Sequence, residues 1–98
     1  MSGNVLEEAR KSINETDRKM AELFVERMRA VRRIAAYKRE AGLPIADRSR
    51  EKEILERNRT YIRDPAFRPD YERFLQGVLE ISRDYQQRQK DENGGSAE

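Results

Sequence analysis

Long cationic side chains occupy positions of this sequence where an apolar helix face is expected. Arg27 interrupts a heptad row whose other members are Leu6, Ile13, Met20 and Ile34. Lys38 follows Arg27 by eleven residues. At about 100° per residue, the two side chains then point to the same side of a helix, roughly 16 Å apart along its axis. Two cations at this spacing could converge on one anion that lies between them.

Two further segments place polar residues in line with an apolar stripe. The stripe of a second predicted helix, when extended backwards, meets Asp47, Arg50 and Glu51. The stripe of a third continues into Ser82 and Gln86, which are one helical turn apart. With Arg10, which lies at the end of another row of the first helix, the candidate site residues are Arg10, Arg27, Lys38, Asp47, Arg50, Glu51, Ser82 and Gln86.

These side chains are suited to binding an anion. Arginine binds carboxylates through a bidentate fork, while Ser, Gln and Glu hydrogen-bond to hydroxyl and ether oxygens. The sequence contains no Cys and no His, and it shows no metal motif or Gly-rich phosphate loop. We therefore expect a site for a small, multiply anionic molecule, without metal or cofactor. Any catalysis there would rest on positioning and electrostatics.

Each candidate residue also has a simpler explanation when it is taken alone. Arg27 could be a snorkelling side chain that keeps its charge in solvent. Lys38 could be a cation that stabilises a helix C-terminus, and Asp47 could be an N-cap. Arg50 and Glu51 could form an exposed ion pair, and Ser82 and Gln86 could lie at a frayed helix end. A shared anionic ligand accounts for all of them together, because buried charges require partners.

Composition limits the classes of protein to which the chain can belong. Its 98 residues are 36% hydrophobic, which predicts one small domain that gains stability by pairing with a second copy. No apolar run approaches the roughly 20 residues of a membrane span, and no signal peptide is recognisable. We therefore expect a cytoplasmic protein that does not associate with membranes. The basic residues are interleaved with acidic ones, which argues against nucleic-acid binding.

Apolar residues recur at three and four positions, which predicts an all-α fold with three helices per chain. We expect helices over about Val5 to Ala41, Asp47 to Ile62 and Asp70 to Lys90. Gly42 and Pro44 end the first helix, and the proline-rich segment 64–69 separates the second from the third. The predicted organisation is a helical domain of residues 1–90 and a disordered tail of residues 91–98.

The order and spacing of the candidate residues resemble those of the all-helical, or AroQ-class, chorismate mutases. The resemblance covers roughly residues 6–90, and its most specific part is the segment from Lys38 to Glu51, which includes Pro44-Ile45-x-Asp47-x-x-Arg50-Glu51. Chorismate mutases convert chorismate to prephenate in phenylalanine and tyrosine biosynthesis. The resemblance implies an intertwined homodimer whose long first helices pack together.

The resemblance also implies a role for each residue. Arg10, contributed across the dimer interface, would grip one carboxylate of chorismate and Arg27 the other. Lys38 and Gln86 would donate to the ether oxygen, and Glu51, with the backbone near Asp47, would engage the ring hydroxyl. Ser82 and Arg50 would complete the site.

Two alternatives stay open. One is an isochorismate-pyruvate lyase, which would use a similar cationic pocket on the same scaffold. The other is a non-catalytic helical dimer that keeps the fold.

Overall fold

The described part of the chain folds into three α-helices and one short 3₁₀ helix. A computed structural model describes the backbone of residues 2–96 and the side chains of residues 3–93. The elements in chain order are α1 (Ser2–Ala41), α2 (Arg48–Arg59), the 3₁₀ helix η1 (Pro65–Phe67) and α3 (Arg68–Ser96). The described residues contain no strand. The prediction of an all-α chain with three helices and a long first helix is confirmed.

The chain has two compact units, Met1–Val31 and Arg32–Glu98. The first unit contains most of α1, and the second contains the last ten residues of α1 together with α2, η1 and α3.

Gly42 ends α1 in the way that the sequence predicts. Its φ is +67°, a left-handed conformation that glycine adopts without a steric penalty. The Gly42 N–H donates to the Arg39 carbonyl at 3.4 Å, and the Leu43 N–H donates to the Lys38 carbonyl at 2.8 Å. This pair of bonds defines a Schellman motif, which satisfies two carbonyls at the helix C-terminus.

Asp47 caps the N-terminus of α2, as predicted. Its backbone is extended, and its Oδ1 accepts a hydrogen bond from the Arg50 N–H at 3.0 Å. The predicted helix extends to Ile62, whereas α2 ends at Arg59. The N–H groups of residues 60–62 each bind the carbonyl three residues back, so the last turn tightens and leaves the α-helical pattern.

The proline-rich segment separates α2 from α3 as predicted, but it contributes more structure than a loop. Asp64 accepts a hydrogen bond from the Ala66 N–H at 3.0 Å and so caps η1. α3 begins at Arg68 rather than at Asp70. Pro69 is tolerated there because the N–H groups of a first helical turn have no partner within the helix.

α3 continues to Ser96, past the predicted end at Lys90. Side-chain bonds one turn apart support this extension: Gln87 Nε2 donates to Asp91 Oδ1 at 2.9 Å, and Asn93 Nδ2 donates to the Gln89 carbonyl at 2.7 Å. Residues 97 and 98 lie outside the described residues. The division into a domain of residues 1–90 and a tail of residues 91–98 stays a prediction.

The core of the second unit contains one buried line along α3. Leu75 and Leu79 are buried, together with Ala35 of α1, and α2 and η1 pack against α3. The line continues into Ser82 and Gln86, which are also buried. The change from apolar to polar residues along this stripe therefore occurs inside the unit and not at a frayed helix end.

The first unit leaves its apolar row uncovered in the single chain. Leu6, Ile13, Met20 and Phe24 are between 41% and 56% exposed. Scattered exposed apolar residues are ordinary, whereas a row of them along one helix forms a larger exposed apolar surface.

The left-handed backbone of Gly42 yields a first prediction. Gly42→Ala should lower the free energy of unfolding by about 1–2 kcal/mol, because a Cβ is strained at positive φ. No neighbouring atom would meet that Cβ, so the backbone alone causes the loss. Urea denaturation at one fixed protein concentration measures the effect.

Gly77→Ala is the matched control. Gly77 lies inside α3, and a Cβ there meets no atom within 4 Å, so alanine should raise stability by about 0.5–1 kcal/mol. Equal effects of the two substitutions would contradict the assignment of strain to Gly42.

Candidate functional site

A cavity of about 310 Å³ opens in the second unit where the end of α1, the following turn and α3 meet. Cavities of this size hold small molecules. The turn supplies one wall through Leu43, Pro44 and Ile45, and the two helices supply the polar groups. The lining residues are Ala35, Lys38, Arg39, Gly42, Leu43, Pro44, Ile45, Gln86 and Lys90.

The charge of the cavity lining is entirely positive. Lys38, Arg39 and Lys90 contribute cations, and none of the lining residues is acidic. A concave surface that carries one sign of charge concentrates ligands of the opposite sign. The cavity therefore favours an anion, as the sequence predicts for this site.

Lys38 is held in place by the turn that follows its own helix. Its Nζ donates to the Ile45 carbonyl at 2.8 Å, in a partly buried position. An ammonium group has three donors, so two remain for a ligand. The side chain is thus directed into the cavity by a fixed backbone acceptor.

Gln86 brings an amide to the same cavity from α3, and its residue is only 8% exposed. Its Nε2 donates to the Ser82 carbonyl at 3.3 Å. Its Oε1 is buried and accepts no hydrogen bond from the described residues. Buried polar atoms without a partner are rare and often mark functional positions. The amide also has a second N–H, which takes part in no hydrogen bond within the described side chains.

Ser82 lies one turn before Gln86 and is 6% exposed. Its Oγ donates to the Val78 carbonyl at 2.9 Å, a back-bond that a serine commonly makes inside a helix. The serine supports the buried polar end of the α3 stripe but does not line the cavity.

Glu51 is the acidic candidate that turns inward. Its side chain is 17% exposed, and its Oε1 binds Arg83 Nη1 of α3 at 2.5 Å. Arg48 approaches the same oxygen at 3.4 Å from an exposed position. The hydrogen bond to Glu51 raises the pKa of Arg83, while desolvation acts in the opposite direction. Arg83 therefore stays positively charged near neutral pH. Titration of the arginine does not break its ion pair with Glu51 in that range.

Asp47 and Arg50 lie at the surface of the single chain. The Asp47 carboxylate is engaged as the cap of α2, and the Arg50 guanidinium binds Glu53 at 3.0 Å with both side chains about half exposed. Neither residue lines the cavity. Their predicted contacts with a ligand stay a prediction.

Arg10 and Arg27 belong to the first unit. Arg10 is exposed and Arg27 is half-buried, and Arg27 takes part in an interaction of its own. Their roles in the site stay predictions. Of the eight candidates, the structure brings Lys38 and Gln86 to one cavity. In the same unit it buries Ser82 and leaves Glu51 partly buried.

Sequence reasoning missed Arg39, Lys90 and Arg83. Lys90 follows Gln86 by four residues, so helical spacing alone could have placed it on the same face. Arg39 and Arg83 adjoin the candidate residues Lys38 and Ser82, respectively, but lie off the apolar stripes of their helices. Arg83 reaches Glu51 across 32 residues of chain, a distance over which no local pattern gives a signal.

Comparison with known proteins identifies the family. No curated protein and no solved structure gave a match to the chain. No helix of the described residues has the length and apolar character needed to cross a bilayer. The family model described as chorismate mutase type II matches residues 9–87. That range includes Lys38 and Gln86 of the cavity, and the chain belongs to the chorismate mutase type II family.

Proposed function

We propose that this protein catalyses the rearrangement of chorismate to prephenate. The observation that carries the proposal is the cavity shared by Lys38 and Gln86, whose charged lining residues are all cations. Chorismate is a dicarboxylate with an ether oxygen and a ring hydroxyl, and the cavity offers cations and an amide donor to such a molecule. Family membership supports the same activity.

The reaction is an intramolecular pericyclic rearrangement, in which a C–O ether bond breaks as a C–C bond forms. It needs no acid, base or covalent intermediate. The site would hold the enolpyruvyl side chain over the ring in a reactive geometry. The barrier would fall because the bound substrate loses less entropy when it reaches the transition state. Arg10 and Arg27 would each hold one carboxylate for this purpose.

Negative charge grows on the ether oxygen as the C–O bond breaks. Lys38 and Gln86 would donate to that oxygen and bind the transition state more tightly than the ground state, which is the condition for raising the rate. The Lys38 ammonium keeps two donors after bonding to Ile45. Since that bond fixes its position before substrate arrives, little reorganisation would be needed.

The remaining groups would bind the ring. Glu51, with the backbone near Asp47, would accept a hydrogen bond from the ring hydroxyl, and Ser82 and Arg50 would complete the enclosure. We place the activity in phenylalanine and tyrosine biosynthesis and the protein in the cytoplasm.

The proposed active form is a homodimer. The uncovered apolar row of α1 supports this proposal, because pairing two such helices would bury both rows. Arg10 would then reach the site of the partner chain. The substrate would be the only other partner, and we expect no interaction with nucleic acid or membrane.

Chorismate consumption by the purified protein tests the proposal directly. Loss of ultraviolet absorbance with prephenate as the product, identified by chromatography, is the expected result. Pyruvate released from isochorismate, with chorismate left unchanged, would instead assign the lyase. A folded dimer that consumes neither compound would be a scaffold without activity.

Lys38→Ala should lower kcat at least about 100-fold, because it removes a donor to the developing oxyanion. Folding should change little, since the lysine is half-buried and the Schellman motif uses only its backbone carbonyl. The matched control is Lys52→Ala, which removes an exposed lysine of α2 that does not line the cavity. Near-normal turnover of the Lys38 variant would rule out this role.

Activity should change little with pH across neutrality, because Gln86 is a neutral donor at every pH. Gln86→Glu should produce an acidic optimum, since a carboxyl group donates a hydrogen bond only when it is protonated and burial favours that form. Rate profiles of both proteins from acid to weakly basic pH provide the measurement. A sharp acidic optimum in the unmodified protein would count against Gln86 as the donor.

Mixing two inactive variants tests whether Arg10 acts across the dimer. Arg10→Ala and Lys38→Ala chains, refolded together in equal amounts, should recover about a quarter of the full activity. About half of the dimers are then mixed, and each mixed dimer has one intact site. If Arg10 acts within its own chain, every site in the mixture lacks one group, and no activity returns.

A further inference from the structure

We propose that Arg83 is a positioning residue for this reaction, which holds one oxygen of Glu51 from α3 so that the other faces the ring hydroxyl of the substrate. The inference rests on the proposed function of the site. Arg83 touches neither the cavity nor the reacting atoms, and it acts through Glu51.

The contact between the two residues joins separate elements of the second unit. Arg83 Nη1 donates to Glu51 Oε1 at 2.5 Å, across 32 residues of chain. The pairs that Glu53 makes with Arg50 and Arg57, in contrast, lie within α2 and are about half exposed. The Arg83 side chain is 26% exposed and that of Glu51 17%. Partial burial reduces screening by solvent, so this pair is more firmly held than a surface pair.

Arg48 gives an internal comparison at the same oxygen. It approaches Glu51 Oε1 at 3.4 Å, but its side chain is 76% exposed. An exposed arginine at this distance contributes little orientation, because water competes for both groups. Arg83 is therefore the residue that determines where the Glu51 carboxylate points.

Both arginines bind Oε1, and this leaves the other oxygen available. The contacts to the Glu51 carboxylate from the described side chains all fall on Oε1. A carboxylate accepts hydrogen bonds through two oxygens, so Oε2 keeps its full capacity as an acceptor. Such an acceptor, fixed in direction, is what a hydroxyl group of a bound ligand requires.

The positive charge of Arg83 also helps Glu51 to bind the substrate. A bare carboxylate next to an anionic substrate would repel it, and a paired carboxylate would not. With Arg83 in place, Glu51 can accept a hydrogen bond from the ring hydroxyl without opposing the binding of the carboxylates. Loss of the arginine should therefore lower kcat/KM for chorismate even in a chain that folds normally.

The test compares Arg83→Gln with Arg48→Gln, each in the otherwise unmodified chain and each combined with Glu51→Gln. Arg83→Gln should lower kcat/KM for chorismate by about 10- to 100-fold, as misplacement of a binding group does. Arg48→Gln should lower it less than about threefold, as expected for an exposed pair. In the Glu51→Gln background, Arg83→Gln should cause no further loss, because the group through which it acts is absent.

A purely structural contact gives a different result. Arg83→Gln would then lower the melting temperature but leave kcat/KM unchanged at temperatures where circular dichroism shows a folded protein. This outcome overturns the proposal, as does an equal loss of kcat/KM with and without Glu51. Arg83→Lys keeps the charge and can still donate to Glu51, although it lacks the planar guanidinium fork, so it should recover part of the activity. It also carries the same test if the glutamine variant does not fold.

The unmodified protein separates this proposal from the one on which it rests. If it does not consume chorismate, the proposed function fails, and the role of Arg83 in that reaction fails with it. If it is active and the Arg83 variants keep its kcat/KM, the positioning role alone is wrong.

Discussion

Lys38 and the turn after it are tied together twice, and the geometry of the cavity depends on these two bonds. The Lys38 backbone carbonyl accepts the Leu43 N–H, and its ammonium donates to the Ile45 carbonyl, both at 2.8 Å. The first bond requires the left-handed backbone that Gly42 provides. The second holds the side chain against the wall that the same turn forms. One glycine therefore determines the end of α1, the wall of the cavity and the position of its main cation.

The buried polar groups of α3 cost stability, and the structure limits that cost in different ways. The Ser82 hydroxyl donates a hydrogen bond to the Val78 carbonyl of the same helix, and the Gln86 amide N–H donates one to the Ser82 carbonyl. The Gln86 Oε1 has no hydrogen bond to the described residues, a loss of roughly 1–3 kcal/mol for a buried acceptor. Apolar side chains in these places would pack without that loss. Retaining an amide at the cavity is consistent with selection for binding rather than for stability.

The end of α1 and the start of α2 could be predicted from the sequence because the signals that determine them are local. Gly42, Pro44 and Asp47 determine where helices stop and start through their own backbone preferences and side chains. The site was harder to predict. The inward stripe of α2 could not be extended back to Asp47, because an N-cap residue is extended, with φ −133° and ψ 90°, and does not follow helical periodicity. The role of Arg83 could not be predicted, because its contact with Glu51 depends on how α3 packs against α2.

The apolar row of α1 connects folding to activity under the proposed function. A single chain leaves this row exposed, so hydrophobic burial would favour the proposed pairing of two chains. Pairing is also the event that would bring Arg10 to the partner's site. The same helix would then supply both the apolar surface whose burial drives dimerisation and the arginine that completes the site. A monomer could keep Lys38, Gln86 and the Glu51–Arg83 pair in place and still lack one of its two carboxylate-binding arginines. Catalysis would therefore be confined to the assembled state, although each chain builds its own cavity.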